Sequence, residues 1–398
     1  MKILSVNAGS SSLKFQLLEM PQEEVITSGL IERIGFADSI FTIKVNGDKT
    51  RDVKAIKNHS QAVSIVLDAL IDLKIVNSYD EISGVGHRVV HGGEKFNDSV
   101  LINKQILNEI ERLKDLAPLH NPANLTGIRA FHEILPNVSH AAVFDTAFHQ
   151  TMTKEAYLYP VPYTWYEKYG IRKYGFHGTS HKYVSERAIE LLGKGVKGTK
   201  IITVHIGNGG SITAIKDGKS IDTSMGFTPL AGIMMGTRSG DIDPSILPFV
   251  MEKENWTIND AIKALNKDSG LKGISQKSSD MRDIVKGVEQ KDEKCLRTLH
   301  LFAKKVCDYI GSYYILLGGC DAIVFTAGIG ENSEPARKAI VDRLGSLGII
   351  LDEEANKVMG EEKLISTKDS KIKVYVIPTN EEVVIARDTL RLINQCTE

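Results

Sequence analysis

Two stretches of this chain, one at its start and one near its middle, repeat one another. Lys2-Ile3-Leu4-Ser5-Val6-Asn7-Ala8-Gly9 overlays on Lys200-Ile201-Ile202-Thr203-Val204-His205-Ile206-Gly207. Each opens on a lysine, runs through apolar and β-branched positions, reaches a polar residue near the strand end and breaks into a tight turn before a new strand. Such a duplication predicts two similar α/β lobes, each offering one glycine turn to a cleft between them. A third strand, Asp321 to Thr326, runs into Ala327-Gly328-Ile329-Gly330-Glu331-Asn332, with Ser333 as the expected cap of the helix that follows.

The first turn, Ala8 to Ser12, is built of small residues that can present backbone N–H groups and hydroxyls, and Lys14 stands just behind it. That combination suits a polyphosphate; a plain Ser/Gly hairpin tip is the alternative. The 49 basic and 50 acidic residues nearly cancel, so a dedicated nucleic-acid or membrane surface is not expected and any anion site must be local. No charged segment followed by an apolar stretch opens the chain, and no run approaches membrane-spanning length, which predicts a cytoplasmic protein. Cys295, Cys307, Cys320 and Cys396 are widely spaced and read as reduced, with neither a metal nor a disulfide role.

Several polar residues stand where apolar strands stop. Arg88 lies in the β-like run Ile82 to Val90, ahead of Gly92-Gly93, and is either half of a buried ion pair or an anion clamp; the glycines favour the clamp. Asp145 ends the strand Ala141 to Phe144, a position that holds ligand groups in open α/β sheets, though a helix N-cap is the alternative. His120 sits in a proline-bounded loop as a core histidine or part of a pocket wall. His177 precedes an amphipathic helix, at an end where anions bind, whereas His181 falls inside the first turn and reads as structural. Arg238 lies in Gly236-Thr237-Arg238-Ser239-Gly240, a frame of small residues that leaves it able to reach an oxyanion. Ser278 to Asp283 is a polar turn suited to a base or ribose. Glu381 and Glu382 end the strand Val374 to Ile377, and Glu381 is a candidate Mg²⁺ residue. The stripe Leu296, Leu299, Ala303, Val306, Ile310 and Tyr313 predicts a long core or interface helix. There is no Walker lysine loop, protein-kinase glycine loop, serine elbow or zinc spacing, and the inventory suits phosphoryl transfer.

With Val6-Asn7-Ala8-Gly9-Ser10-Ser11-Ser12-Leu13-Lys14 and the Gly226 to Gly240 loop, the chain resembles the acetokinases along its whole length. Their superfamily also contains sugar kinases, actin and heat-shock chaperone ATPases. The resemblance implies two duplicated ribonuclease-H-like (actin-like ATPase) lobes of α/β class with an interlobe active-site cleft. The expected boundaries are 1–147 plus 383–398 for the N-terminal lobe and 148–382 for the nucleotide-binding lobe. It implies acetate/acetyl phosphate and ATP/ADP as substrates, with Mg²⁺, or Mn²⁺, bound by Asn7 and Glu381. Lys14, His205, Ile206, Gly207, Asn208, Gly209, Asp280, Met281, Arg282, Gly328, Ile329, Gly330, Glu331 and Asn332 would serve ATP. Arg88 would take the acid's carboxylate, Val90, Leu119, Phe176 and Pro229 would form the acyl pocket, and Asp145, His177 and Arg238 would be catalytic. The family is usually homodimeric. Because a carboxylic acid of pKa about 4 is already ionised at neutral pH, its attack needs no general base, so Asp145 is expected to orient groups more than to move a proton. A propionate-preferring kinase and an actin-like or chaperone-like ATPase are the alternatives.

Overall fold

The computed structural model describes residues 1–118 and 120–397. They form two compact units, Met1–Phe148 with Asn380–Glu398, and His149–Thr379. The return to the first unit thus falls at Asn380, ahead of the expected 383, and carries Glu381 and Glu382 with it.

The first unit holds a sheet of β1 (Lys2–Ala8), β2 (Ser12–Glu19), β3 (Glu24–Glu32), β4 (Ser39–Val45), β5 (Asp48–Lys54), β6 (Ile82–Val89), β7 (Val100–Leu101) and β8 (Ser139–Phe144). Its order is β5-β4-β3-β2-β1-β6-β8-β7, with β1 to β5 antiparallel and β1, β6 and β8 parallel. The second unit contains β9 (Lys200–Ile206), β10 (Gly210–Lys216), β11 (Lys219–Thr223), β12 (Ala322–Thr326), β13 (Lys363–Leu364) and β14 (Lys373–Val376), ordered β11-β10-β9-β12-β14-β13. Here too an antiparallel trio continues through the first strand into two parallel partners. The sequence repeat is therefore a repeat of topology: β1 and β9 occupy the same place, and Gly9 and Gly207 stand just past their ends.

Central strands are buried on both faces because each sheet is covered on both. In the first unit Leu4 and Val6 face a core with Val63, Val66 and Phe131 from the helices His59–Asp72 and Asn121–Ile134. Asn58 caps the first of these helices by accepting from the Gln61 amide. The opposite face meets the closing helix Glu381–Thr397 so tightly that β6 sets Gly84 and Gly86 against it. A Cβ on Gly86 would lie 2.3 Å from Thr389 Oγ1 and 2.4 Å from Ile385 Cγ2. Gly86→Ala is expected to force the helix outward and cost about 1–3 kcal/mol, read as a lower urea midpoint at unchanged m-value.

In the second unit the helix Glu293–Leu317 lays Cys295, Leu299, Phe302, Val306, Ile310 and Tyr313 into the core. Leu296, expected on that stripe, is solvent-exposed, because the buried face runs through Cys295 and Leu299. Among the described residues no helix is long and apolar enough to cross a membrane.

Both units bury neutral histidines. His87 donates through Nε2 to His140 Nδ1 at 3.0 Å, and His140 donates through Nε2 to the Leu135 carbonyl at 3.1 Å. A proton added to His140 would sit on Nδ1 and set N–H against N–H. Burial pushes His87 and His181 well below the ordinary imidazole range, lowers His140, and brings His149 down to about 4. Below the unfolded value of about 6.5 the unfolded chain binds more protons than the native one, so each group subtracts stability as pH falls, up to about 1.4 kcal/mol per unit. The expected result is a urea midpoint constant above pH 7 and falling steeply from pH 6.5 toward 4.

Candidate active site

In the first unit β6 delivers Arg88 beside the carboxylate that follows β8. Arg88 Nε donates to Asp145 Oδ1 at 2.9 Å and Oδ2 at 3.1 Å, and Nη2 donates to Oδ2. Asp145 is buried, so this pair is held in a medium of low dielectric and the guanidinium is locked in one orientation. The ion pair and the clamp are thus compatible: Asp145 uses the Nε and Nη2 edge, and Arg88 keeps further N–H donors for an anion. Glu381 lies 4.0 Å from Arg88 Nε. Burial raises its pKa, Arg88 pulls it down, and the neighbouring carboxylates of Asp145 and Glu382 push it up again. Lys14, which pairs across the hairpin with Asn7, forms an ion pair with Glu382. Glu381 does not end a strand as expected. β14 stops at Val376, and Glu381 opens the closing helix, with Asn380 Oδ1 accepting from the Val383 amide at 3.2 Å.

Two residues that sequence reasoning missed tie these parts together. Buried Asn124 accepts from the Val90 amide at 3.1 Å and donates to the Ala8 carbonyl at 2.8 Å, joining the first turn to the end of Arg88's strand. Asn121 does the same at His91, accepting at 3.1 Å and donating at 3.0 Å. Their three-residue spacing at the start of the helix Asn121–Ile134 puts both on one face, which was the available signal. Val90 is buried beside them. Leu119 lies outside the described residues.

In the second unit His177 adopts a left-handed backbone (φ 56°) ahead of the helix Gly178–Leu192. Its ring stacks on His205 at 4.1 Å between centroids and shares a hydrogen bond of 2.9 Å with Ser211 Oγ. A Cβ on Gly209 would lie 3.5 Å from both His177 Nε2 and Arg238 Nη1, so the imidazole, the guanidinium and the second glycine turn converge. Arg238 is half-buried and donates to the Pro229 carbonyl at 3.0 Å. No carboxylate pairs with it among the described residues, and burial alone lowers its pKa. Its loop is held by Asp241, whose Oδ1 accepts from the Gly232 amide at 2.8 Å and whose Oδ2 accepts from the Tyr309 hydroxyl. Phe176 is buried, its carbonyl accepting from His149 Nε2 at 2.9 Å.

A cavity of about 620 Å³ opens beside the second turn. Gly207, Asn208, Asp280, Met281, Arg282, Gly328, Ile329 and Asn332 line it, together with Ser279 of the polar turn, Ser333, and Met359, which the sequence reading did not single out. Ile206, Gly209 and Gly330 belong to the turns that shape it. Asp280 caps the helix Met281–Glu289 by accepting from the Arg282 amide at 2.9 Å. Two expectations need correction. The Ala327–Asn332 segment is itself the first helical turn, and Ser333 makes no side-chain cap to the helix Glu334–Val341. Glu331 does not line the cavity; its Oε1 accepts from the Ala327 amide at 2.7 Å and the Thr379 amide at 3.0 Å, bracing the turn from behind. Arg337, fully buried, braces it again by donating to the Gly330 carbonyl at 3.0 Å, Asn356 Oδ1 at 2.8 Å and the Val358 carbonyl at 2.8 Å, with its pKa lowered by burial to about 10.

The acetokinase family profile matches residues 2–387. The chain belongs to the acetokinase family. It is 58% identical over 393 residues to the acetate kinase of a Geobacillus species, covering 99% of each chain. Among solved structures this acetokinase superposes on Porphyromonas gingivalis acetate kinase with a TM-score of 0.95 at 45% identity, over 98% of this chain and 99% of that one. A propionate kinase from Francisella tularensis superposes with a TM-score of 0.91 at 42% identity, over 98% and 99%. The fold is therefore the two-lobed α/β architecture of acetate kinases, and the acetokinase is a phosphotransferase.

Proposed function

We propose that this phosphotransferase catalyses reversible transfer of the γ-phosphoryl group of ATP to acetate, giving acetyl phosphate and ADP by direct in-line displacement. The observation that carries this reading is Arg238: a half-buried guanidinium with no acid paired to it among the described residues, converging with His177 on the turn that walls the cavity. An unpaired buried cation is costly unless an anion completes it, and a transferring phosphoryl group is such an anion. The cavity volume suits a nucleotide, with Gly207, Asn208 and Gly328 bringing backbone close to phosphates and Asp280 to Arg282 beside the base or ribose.

In this reading Arg88, oriented by Asp145, takes the acetate carboxylate, Val90, Phe176 and Pro229 border the methyl group, and Asp145 moves no proton. One carboxylate oxygen attacks phosphorus as the bond to the ADP oxygen breaks. Arg88, Arg238 and His177 counter the repulsion between two anions, each such group contributing on the order of 3 kcal/mol, roughly a hundredfold in rate.

In this reading Glu381 and Asn7 would hold Mg²⁺. The crowding of Glu381, Asp145 and Glu382 carboxylates is what a divalent cation would relieve, and Mg²⁺ needs only one or two protein oxygens beside waters and phosphates. When bound, it neutralises phosphate charge.

A coupled assay with ATP, Mg²⁺ and acetate tests the proposal. Acid-dependent ADP release supports it, and ATP hydrolysis indifferent to acetate would favour an actin-like or chaperone-like ATPase. The Francisella likeness gives a second reading, propionate as acceptor; one methylene is worth about 1–3 kcal/mol, so relative kcat/KM on the two acids decides. A cytoplasmic homodimer completes the reading. The cysteines form no disulfide. Exposed Ile246, Phe249, Ile258 and Ile262, on two helices packed together, offer a self-association surface, and sedimentation reads the stoichiometry.

A further inference from the structure

Four buried or half-buried side chains of the second unit form a continuous hydrogen-bonded row. Thr203 Oγ1 lies 2.7 Å from His181 Nδ1, His181 Nε2 lies 2.7 Å from Ser211 Oγ, and Ser211 Oγ lies 2.9 Å from His177 Nδ1. Thr203 on β9 and Ser211 on β10 lie diagonally across the strand pair, Ser211 standing opposite His205 and Thr203 opposite Thr213, and His181 lies in the first turn of the helix that His177 precedes. Burial keeps His181 neutral, so its ring carries one hydrogen; when the buried Ser211 hydroxyl also spends its hydrogen within the row, two polarisations are possible.

In one, the Thr203 hydroxyl donates to His181 Nδ1, His181 Nε2–H donates to Ser211, and the Ser211 hydroxyl donates to His177 Nδ1. Every hydrogen within the row then has an acceptor, and the proton of a neutral His177 stands on Nε2. In the other, His177 Nδ1–H donates to Ser211, Ser211 donates to His181 Nε2, and His181 Nδ1–H donates to Thr203. The Thr203 hydroxyl hydrogen is then left without an acceptor among the described residues, inside a closed core. A buried donor left unmatched is the more expensive arrangement.

We propose that Thr203, His181 and Ser211 are positioning residues that fix the tautomer of His177, so that a neutral imidazole presents Nε2–H as a hydrogen-bond donor toward Gly209 and Arg238. Resting on the reading of His177 as a contact of the moving phosphoryl group, the row makes a donor available without requiring the ring to be charged. Sequence reasoning took His181 as structural; it is the relay between a strand hydroxyl and the ring that matters.

Ring ¹⁵N NMR of the full-length protein tests this, with the His177 signals assigned by their loss in His177→Gln. The expected spectrum has a protonated Nε2 and an unprotonated Nδ1 at neutral pH. Thr203→Val, nearly isosteric, should abolish that preference and lower kcat about tenfold while leaving KM for ATP within twofold, since the cavity wall is untouched. Thr203→Ser should restore both. A wild-type His177 protonated on Nδ1, or a Thr203→Val protein with unchanged tautomer and kcat, overturns the relay. If the assay shows no phosphoryl transfer to acetate but the tautomer is as expected and shifts in Thr203→Val, the relay stands and the assigned reaction falls.

Discussion

Arg88→Ala is expected to lower kcat/KM for acetate by roughly 10²–10³-fold and to destabilise the first unit at the same time. The two effects have one cause. Asp145 is buried and its carboxylate is matched by Arg88 through Nε and Nη2. Without the guanidinium an uncompensated charge remains inside the protein, a loss of about 3–5 kcal/mol. Arg88→Lys retains the charge but not the planar fork, so it should recover much of the stability and little of the activity. If Asp145 works by holding Arg88, Asp145→Asn and Arg88→Ala must be strongly non-additive in kcat, the double variant being scarcely worse than the worse single one. Additive losses, or a catalytic pH profile that loses one limb in Asp145→Asn, would assign the carboxylate a proton-transfer role instead. Steady-state kinetics on acetate and urea unfolding of the same four proteins settle it.

Arg238→Ala is expected to do the opposite to stability. This guanidinium has a carbonyl and a thioether as partners and no acid among the described residues, and burial lowers its pKa. Removing a desolvated, uncompensated cation should leave the thermal midpoint unchanged or higher, while kcat falls by roughly 10²–10³-fold and KM for ATP moves little. The signature is a protein that is as stable as wild type, binds nucleotide normally and barely turns over. Differential scanning calorimetry, nucleotide titration and the coupled assay give the three readings. An Arg238→Ala enzyme with wild-type kcat would remove the residue from the chemistry and with it the main support for the proposed reaction.

Much of the molecule was legible from residue order because it depends on local periodicity. The alternation of Leu13, Phe15 and Leu17, the repeat of β1 in β9, and the glycines after each are short-range signals, and the strands form where those signals stand. Arg88, His177 and Arg238 stood out because a charged or titratable group flanked by glycines in an apolar stretch is rarely idle.

Other features depend on side chains brought together from distant parts of the chain. The glycines favoured a clamp at Arg88, and that it is also half of an ion pair emerged only with Asp145, 57 residues away in sequence, packed against it. Glu331 was placed near ATP by the family resemblance alone, and only the packed structure shows its carboxylate accepting from the Ala327 and Thr379 amides. The places of Arg337 and the Thr203 to His177 row follow from the same physics. A buried polar atom must find a partner, that partner is set by where strands and helices pack, and no pattern of neighbours in sequence encodes it. Residue order alone determined the strands, the duplicated halves and the kind of chemistry; packing decided which atom faces which, because hydrogen bonds are directional and hydrophobic periodicity is not.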